Sequence, residues 1–217
     1  AVERSAASRG HSSSVVCVAL PRPKTLPAGS LWQAVARRRS QRDFGPAPLS
    51  GEELFLLLWA TQGITQPGRV PRRAAPSPGA TYPLETYLAV NRVEGLAAGL
   101  YHWKLPDERL MLLVQDLTIG RQAAAACADQ AMCAEAACVF FWTAVPARAT
   151  TRYGEYAQRY ICLEAGHVGQ SLLLAATGLG LASCPVGALL DGEVNDLLGV
   201  DGTTESIVHA ALVGRPR

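Results

Sequence analysis

The sequence lacks the features that would place it in a membrane or on nucleic acid. No apolar run reaches the roughly 18 to 20 residues that a membrane-spanning helix needs, so a soluble protein is predicted. The formal net charge is only +2, which favours neither nucleic acid nor a membrane surface as a partner. The sequence opens at Ala1 without a signal peptide to decide the location, and we favour the cytoplasm over an exported, processed protein.

Cysteine pairs and metal-ligand patterns are also missing. The six cysteines form no C-x-x-C pair and lie mostly in apolar segments, so free buried thiols are predicted rather than a disulfide framework. The four histidines have no ligand spacing with one another or with the cysteines. We therefore predict no metal site.

What the sequence does contain is enough apolar residues, 49% of the total, for one packed core. Residues 1–30 are rich in Ser, Arg and Pro and are predicted to form a flexible leader, and residues 31–217 a single domain. Apolar spacing of three and four predicts helices over 30–39, 50–63, 118–132, 153–177 and 191–198. Strands are predicted over 86–91, 99–104, 109–114, 137–145 and 205–213, the first three as an antiparallel meander with turns at 91–95 and 106–107. Because no β-α-β repeat is present, the pattern indicates an α+β fold.

A basic segment follows the first predicted helix. Arg38 and Arg42 are four residues apart and would share a helical face, with the Ser40 hydroxyl between them. Such a group of forked donors suits a dianionic phosphate. The alternative is a solvated, basic helix end that complements the helix dipole.

Two later segments combine glycine with proline. Residues 66–83 have no predicted element, and a loop of this length is usually functional or disordered. Within it, Gly79 would allow a flat ligand to approach closely, although an ordinary turn is the alternative. At residues 178–188, Gly178 and Gly180 are predicted to end a helix and to leave small residues whose amides could face a ring system. This segment follows a helix rather than a strand, so a Rossmann dinucleotide site is disfavoured.

Taken in order, these segments resemble the nitroreductase family. The resemblance rests on Arg-Arg-Ser-x-Arg at 38–42, Pro-Ser-x-Gly-x-x-Tyr-Pro at 76–83, Glu-Ala-Gly-His-Val-Gly-Gln at 164–170, Gly-Leu-Gly-Leu at 178–181, Cys-Pro-Val-Gly at 184–187 and a closing Val-Gly-Arg. Residues 82–87 and 99–103 resemble its branch of SagB-type dehydrogenases, some of which oxidise thiazolines and oxazolines to azoles in peptide natural products. The resemblance covers about residues 31–215 and implies a central, mostly antiparallel sheet flanked by helices in an intertwined homodimer.

The resemblance also implies FMN as the cofactor, held at the subunit interface. It places the FMN phosphate on Arg38, Arg39, Ser40, Arg42 and Arg215. The neighbouring subunit would touch the flavin with Pro76, Ser77, Pro78 and Gly79. Gln130 would reach the pyrimidine edge of the ring. The backbone along the ring, near N5, would be that of Pro185, Val186, Gly187 and Ala188.

The implied activity is that of an FMN-dependent oxidoreductase with ping-pong hydride transfer through flavin N5. NAD(P)H or a substrate ring would supply the hydride, and a small molecule such as a nitroaromatic, a quinone or oxygen would take it. Arg152 and Tyr153 stand where the azole-forming branch carries Lys-Tyr, and they are the candidate catalytic residues. Because arginine cannot act as a base near neutral pH, this pair departs from the proton chemistry of that branch. For Tyr153, the alternative is an ordinary residue at a helix start.

A second class of function stays open. The missing lysine is also typical of a flavin-binding partner with little or no turnover inside a peptide-modifying complex. In either case a homodimer is predicted. One ground is the resemblance, and the other is the presence of Gly166 and Gly169 inside the long predicted helix. Glycine destabilises an isolated surface helix, whereas a small residue lets a second backbone come close.

Overall fold

The computed structural model describes residues 16–24, 29–105 and 107–217. The strands are β1 Cys17–Ala19, β2 Phe44–Gly45, β3 Ile64–Gln66, β4 Arg72–Arg73, β5 Leu84–Val90, β6 Gly99–Lys104, β7 Arg109–Gln115, β8 Cys138–Ala144, β9 Ala182–Val186 and β10 Ser206–Pro216. The helices are α1 Leu31–Arg37, α2 Gly51–Gln62, α3 Ile119–Ala126, α4 Met132–Glu135, α5 Ala147–Tyr153, α6 Ala157–Gly178 and α7 Asp191–Leu198. Short 3-10 turns lie at Pro78–Ala80 and Gly154–Tyr156.

One antiparallel sheet organises the described residues. Eight strands take part, in the order β1-β7-β6-β5-β8-β10-β2, with β9 also paired to β10. The meander predicted for β5, β6 and β7 is confirmed. Every residue of β8 is buried, as its continuous apolar run predicts for a central strand. The α+β fold with an antiparallel sheet flanked by helices is therefore confirmed.

Successive residues of a strand point to opposite faces of the sheet. Both faces of this sheet carry apolar side chains, and helices cover each of them. Phe140 joins the core formed with α2, α5 and α6, whereas its neighbour Phe141 joins the core formed with α3, α4 and α7. In the described parts of the chain, no helix combines the length and the apolar character needed to cross a bilayer.

The second helix begins and ends where the sequence predicts. Ser50 accepts a hydrogen bond from the backbone of Glu53, and the Glu53 carboxylate accepts one from the backbone of Ser50, which is a capping box. The helix ends at Gly63. By contrast, the Ser30 side chain makes no capping bond to α1, and that helix buries none of its residues.

Several predicted helix bounds are wrong, each because the backbone turns out of the helical region. The predicted helix over 118–132 is split, since Ala128 and Asp129 adopt φ values of 54° and 57° after α3. The long predicted helix begins at Ala157 rather than at Tyr153. Tyr153 ends the separate helix α5, and Gly154 follows it at φ 52° and ψ −129°.

The strand predictions also need correction. The last strand continues past Gly214 to Pro216, and Ala182–Val186 is a strand rather than an unpaired extended segment. The predicted loop 66–83 contains β4, which pairs with β3. Within the predicted leader, β1 pairs with β7, whereas residues 1–15 and 25–28 lie outside the described residues. The predicted turn at 106–107 includes Pro106, which is also outside them.

The two glycines of α6 have different surroundings. A Cβ at Gly169 would lie 2.6 Å from Nε2 of His209, so packing within the chain requires this glycine. His209 has little freedom to move aside because its ring stacks on Trp142 at 5.5 Å. A Cβ at Gly166 would meet nothing within 4 Å. Only Gly166 therefore supports the argument for a second chain.

We expect the two alanine substitutions to act in opposite directions on the free energy of unfolding. Gly169→Ala should lower it by about 1 to 3 kcal/mol, because the added methyl group overpacks the contact with His209. Gly166→Ala should raise it by about 0.5 to 1 kcal/mol if this face of α6 is in solvent. Urea denaturation at several protein concentrations measures the change in the free energy of unfolding for each variant. A destabilising, concentration-dependent effect of Gly166→Ala would instead place a second chain against this face.

Candidate functional site

The basic segment after α1 is extended rather than helical. The helix ends at Arg37, and Ser40 forms a parallel bridge with Ser183 at the edge of β9. Alternate residues of an extended chain point to opposite sides. Arg38, Ser40 and Arg42 are thus expected on one side, while Arg39 and Gln41 line a cavity of about 190 Å³. The predicted grouping of Arg38 with Arg42 persists, but the helical reason for it is wrong.

The positive charge of this segment is not balanced by neighbouring carboxylates. Among the described residues, Arg38, Arg39 and Arg42 form no salt bridge. Arg39 donates from Nη1 to the carbonyls of Ala36 and Arg38, at 3.1 and 2.7 Å, and so caps the end of α1. Arg38, Ser40 and Arg42 are left as the candidate anion-binding side of the segment.

The segment that leaves β9 lies beside these residues. Burial raises the pKa of the Cys184 thiol, and the charge of nearby Arg42 opposes that rise. Gln130, predicted to reach the flavin, donates from Nε2 to the carbonyl of Ala188 at 3.0 Å. A Cβ at Gly187 would meet nothing within 4 Å, so a ligand can approach the backbone there. The structure thus brings together Arg38, Ser40, Arg42, Gln130, Pro185, Val186, Gly187 and Ala188, which we call the β9 group.

Arg215 has other partners. Its Nη1 and Nη2 atoms form a bidentate ion pair with Glu53, each at 2.8 Å, and Nε donates to the carbonyl of Pro48 at 3.1 Å. This arrangement fixes the start of α2, because Glu53 also belongs to the capping box. A contact between Arg215 and a phosphate stays a prediction.

A second set of predicted residues meets around the Pro76–Gly79 segment. Gly79 has a φ of +60°, and a Cβ there would lie 2.5 Å from Tyr153 Oη and 2.7 Å from Arg152 Nε. Arg152 donates from Nη1 to the Gly79 carbonyl at 3.3 Å. The predicted catalytic pair therefore packs directly on the predicted flavin-contacting loop. We call Pro76, Ser77, Pro78, Gly79, Arg152 and Tyr153, with the partners described next, the loop group.

A buried acid holds this loop in place. Ser77 Oγ donates to Glu164 Oε2 at 2.5 Å and accepts from the Tyr82 backbone at 3.0 Å. Burial raises the pKa of Glu164 to about 7, against the hydrogen bond from Ser77 and the charge of Arg73. Only 3% of Glu164 is exposed, which places a titratable carboxyl beneath the loop.

A half-buried arginine forms the other side of the loop group. Arg73 donates from Nη1 to Gln62 Oε1 at 2.6 Å, and its guanidinium lies 4.3 Å from the centre of the Tyr82 ring. Gln62 in turn donates to Thr86 Oγ1 at 3.0 Å. Burial lowers the pKa of Arg73, while the charges of Glu85 and Glu164 oppose this. The Nε atom of Arg73 is buried without a hydrogen-bond partner among the described residues.

Sequence reasoning assigned no role to Glu164 or Arg73, and the two cases differ. Glu164 lies in the buried stripe of α6 that includes Ile161, Ala165 and Val168, so an acid on an apolar helix face was a usable signal. Arg73 stands in an irregular segment among other arginines, and its burial depends on contacts with α2 and Tyr82 that local sequence does not encode.

The two groups are held by different parts of the chain. Ser77 binds α6 at Glu164, whereas β9 begins after α6 ends at Gly178, fourteen residues and about 21 Å of helix further on, and β9 also contacts α6. No hydrogen bond or ion pair between described residues joins the β9 group to the loop group. Each group alone is therefore half of the predicted site.

Comparison with known proteins agrees with the sequence motifs. Residues 35–215 match the Nitroreductase family, and the chain belongs to that family. It is 36% identical over 170 residues to a provisionally named nitroreductase of Methanocaldococcus jannaschii, covering 78% of this chain and 84% of that protein. It is 28% identical over 148 residues to the trifolitoxin-processing protein TfxB of Rhizobium leguminosarum bv. trifolii, covering 66% of this chain and 40% of TfxB.

Solved structures show the same fold. A nitroreductase-type crystal structure from Anabaena variabilis aligns with a TM-score of 0.78 and 27% identity over 94% of this chain. The present chain spans only 42% of that protein. A structure from Desulfovibrio desulfuricans that contains FMN aligns with a TM-score of 0.60 and 20% identity, covering 87% of each chain.

Glu85 lies in β5, the strand that follows the loop, and its carboxylate contacts Arg148 and His102. Its ionisation should therefore contribute to the stability of the fold. It accepts from Arg148 at 2.6 Å and lies 2.8 Å from His102 Nε2. Burial alone would raise the pKa of Glu85, but the bonds to His102 and Arg148 outweigh it and lower the pKa to about 2. The folded pKa is below the unfolded one, so the stabilisation is present above about pH 4.5 and is lost as the pH falls toward 2.

We expect Glu85→Gln to lower the free energy of unfolding by about 2 kcal/mol at pH 7. The difference from the unsubstituted protein should shrink as the pH falls from 7 to about 3. Denaturant titrations at each pH measure it, with the exposed Glu94→Gln as the matched control. A difference that stays constant over this range would show that the carboxylate charge is not what stabilises the contact.

Proposed function

We propose that this protein is an FMN-dependent oxidoreductase of the SagB-type branch, working by ping-pong hydride transfer with NAD(P)H as the electron donor and a small organic molecule as the acceptor. The observation that carries the proposal is the β9 group. It combines cations that have no carboxylate partner in the described residues with an open, small-residue backbone and an amide side chain. When bound, FMN would supply a ring that accepts and gives a hydride at N5.

The residues of the β9 group fit the parts of FMN. Arg38, Ser40 and Arg42 would hold the phosphate through charge-assisted hydrogen bonds. The backbone from Pro185 to Ala188 would lie along the ring, since Gly187 leaves room for a flat group. Arg39 and Arg215 would act more through position than through direct contact, because their guanidinium groups already bind carbonyls or Glu53. FMN in a structure of the same fold supports this assignment.

The loop group would complete the site from a second copy of the chain. The absence of any hydrogen bond between it and the β9 group among the described residues of one chain supports this arrangement. So does α1, where Leu31, Trp32 and Val35 are 62%, 78% and 50% exposed, because apolar side chains on one helix are usually covered by a partner. An apolar cavity of about 410 Å³ between α1, α2 and α6 continues this surface.

Arg152 and Tyr153 would then face the flavin of the partner. Arg152 stays charged at neutral pH and holds the Gly79 carbonyl, so its role is to position the loop. The hydroxyl of Tyr153, packed on Gly79, is the group of this pair that can carry a proton.

The second candidate function is a flavin-binding partner with little turnover in a peptide-modifying complex. The arginine at position 152 and the similarity to TfxB favour it. Anaerobic addition of NADPH distinguishes the two candidates. Bleaching of the yellow protein supports the oxidoreductase, whereas an unchanged flavin spectrum supports the binding partner.

We expect the purified protein to release FMN on heating, and Arg38→Ala with Arg42→Ala to weaken FMN binding at least tenfold. Each charge-assisted contact contributes about 1.5 to 3 kcal/mol, although loss of one is often partly compensated. Fluorescence titration of the flavin-free protein measures the affinity, with Arg37→Ala as the control on the same segment. Release of FAD, or no flavin uptake on reconstitution, would contradict the assignment of FMN to the β9 group.

We also expect flavin binding and dimer formation to be linked. If one site uses residues from two chains, dilution must release FMN and separate the subunits over the same concentration range, by mass action. Light scattering and flavin fluorescence on one dilution series measure both. A monomer that keeps full FMN occupancy below micromolar concentration would refute the shared site.

A further inference from the structure

A cavity of about 460 Å³ lies beside the loop group. Its walls include Arg72, Arg73, Pro76, Ser77 and Tyr82. This volume is within the range of about 300 to 1,000 Å³ that small-molecule sites occupy. Apolar atoms of Val70, Ala75 and Pro76 line it together with the two arginines, so the cavity suits a ligand that is partly apolar and partly anionic.

Arg73 has the hydrogen-bonding capacity for such a ligand. Arginine has five N–H donors, and in the described residues Arg73 uses only Nη1, toward Gln62. Its Nη2 atom has no hydrogen-bond partner among the described residues and is not enclosed as Nε is, and no carboxylate among those residues lies within ion-pair distance of the guanidinium. A half-buried guanidinium with an unused donor is stabilised by an oxyanion that pairs with its planar fork.

The charges around the cavity favour an anion. Arg72 adds an exposed positive charge to that of Arg73. The nearby acids oppose it only weakly, because Glu85 is paired with Arg148 and His102, and Glu164 is hydrogen-bonded to Ser77. The pKa of Glu164, raised to about 7, further limits its negative charge at neutral pH.

We propose that this cavity binds the carboxylate of a largely apolar substrate, with Arg73 as the residue that recognises it. The inference rests on the proposed function in one respect, because the cavity shares Pro76 and Ser77 with the loop that would reach the flavin. A substrate held there would be anchored by its carboxylate at Arg73, with its apolar part toward that loop. The site therefore selects acids over neutral molecules of the same shape.

The experiment compares benzoate, benzamide and phenyl phosphate as ligands of the whole protein. Tryptophan fluorescence reports binding with or without flavin, since Trp103 and Arg73 line a smaller adjoining cavity of about 150 Å³. We expect benzoate to bind at least tenfold more tightly than benzamide, and Arg73→Gln to remove this preference. Arg73→Lys should restore part of it, because lysine keeps the charge but loses the fork. Arg69→Gln, on the same exposed segment, is the control and should leave it unchanged.

Several outcomes would overturn the proposal. Equal affinity for benzoate and benzamide, or a preference that survives Arg73→Gln, would show that Arg73 does not recognise the carboxylate. Tighter binding of phenyl phosphate than of benzoate would assign the site to a phosphate instead. If Arg73→Gln fails to fold, the contrast between Arg73→Lys and the unsubstituted protein decides the same question.

Turnover gives a second measurement that separates this proposal from the proposed function. The ratio of kcat/KM for 4-nitrobenzoate to that for 4-nitrobenzamide should exceed ten and should fall toward one in Arg73→Gln. Selective benzoate binding by a protein that takes up no flavin would support the cavity and reject the oxidoreductase. Flavin reduction without any preference for acids would support the oxidoreductase and reject the carboxylate site in the cavity.

Discussion

Burial of both faces of the central strands is the constraint on which the rest of the structure depends. All seven residues of β8 are buried, and β10 beside it is buried from Ala210 to Gly214. Polar groups with chemical roles cannot lie in such strands unless they are paired, because an unpaired buried polar group costs about 1 to 3 kcal/mol. They are therefore found at the outer edge, beyond β9, and at the strand ends, before β5. The β9 group and the loop group occupy these two places.

The same constraint sets where the two groups lie, and the division of one site between two chains is our proposal. Glu164 of α6 binds the loop group, and β9, which carries the other group, also contacts α6. The exposed apolar side chains of α1 and the open space at Gly166 lie on the outside of this arrangement, where a second chain would bring the complementary half.

Local signals in the sequence predicted the elements, whereas the site depended on long-range contacts. The helix predicted over 50–63 and the strand predicted over 137–145 depend on local patterns, and both are confirmed within a residue at each end. Motif resemblance assigned Gln130 and Ala188 to different parts of one ligand, and the two residues are hydrogen-bonded although 58 residues separate them. Local reasoning failed for Gly169, which is required by His209 forty residues later, and for Arg73, which is buried by Gln62 and Tyr82.

The two groups also differ in the acid they contain. Arg38 and Arg42 give the β9 group guanidinium donors, which suit a phosphate through charge-assisted hydrogen bonds. The loop group combines the guanidinium of Arg152 with Glu164, whose pKa is raised by burial to about 7. Protonation of Glu164 therefore changes the charge directly beneath Ser77, in the loop that also carries Gly79.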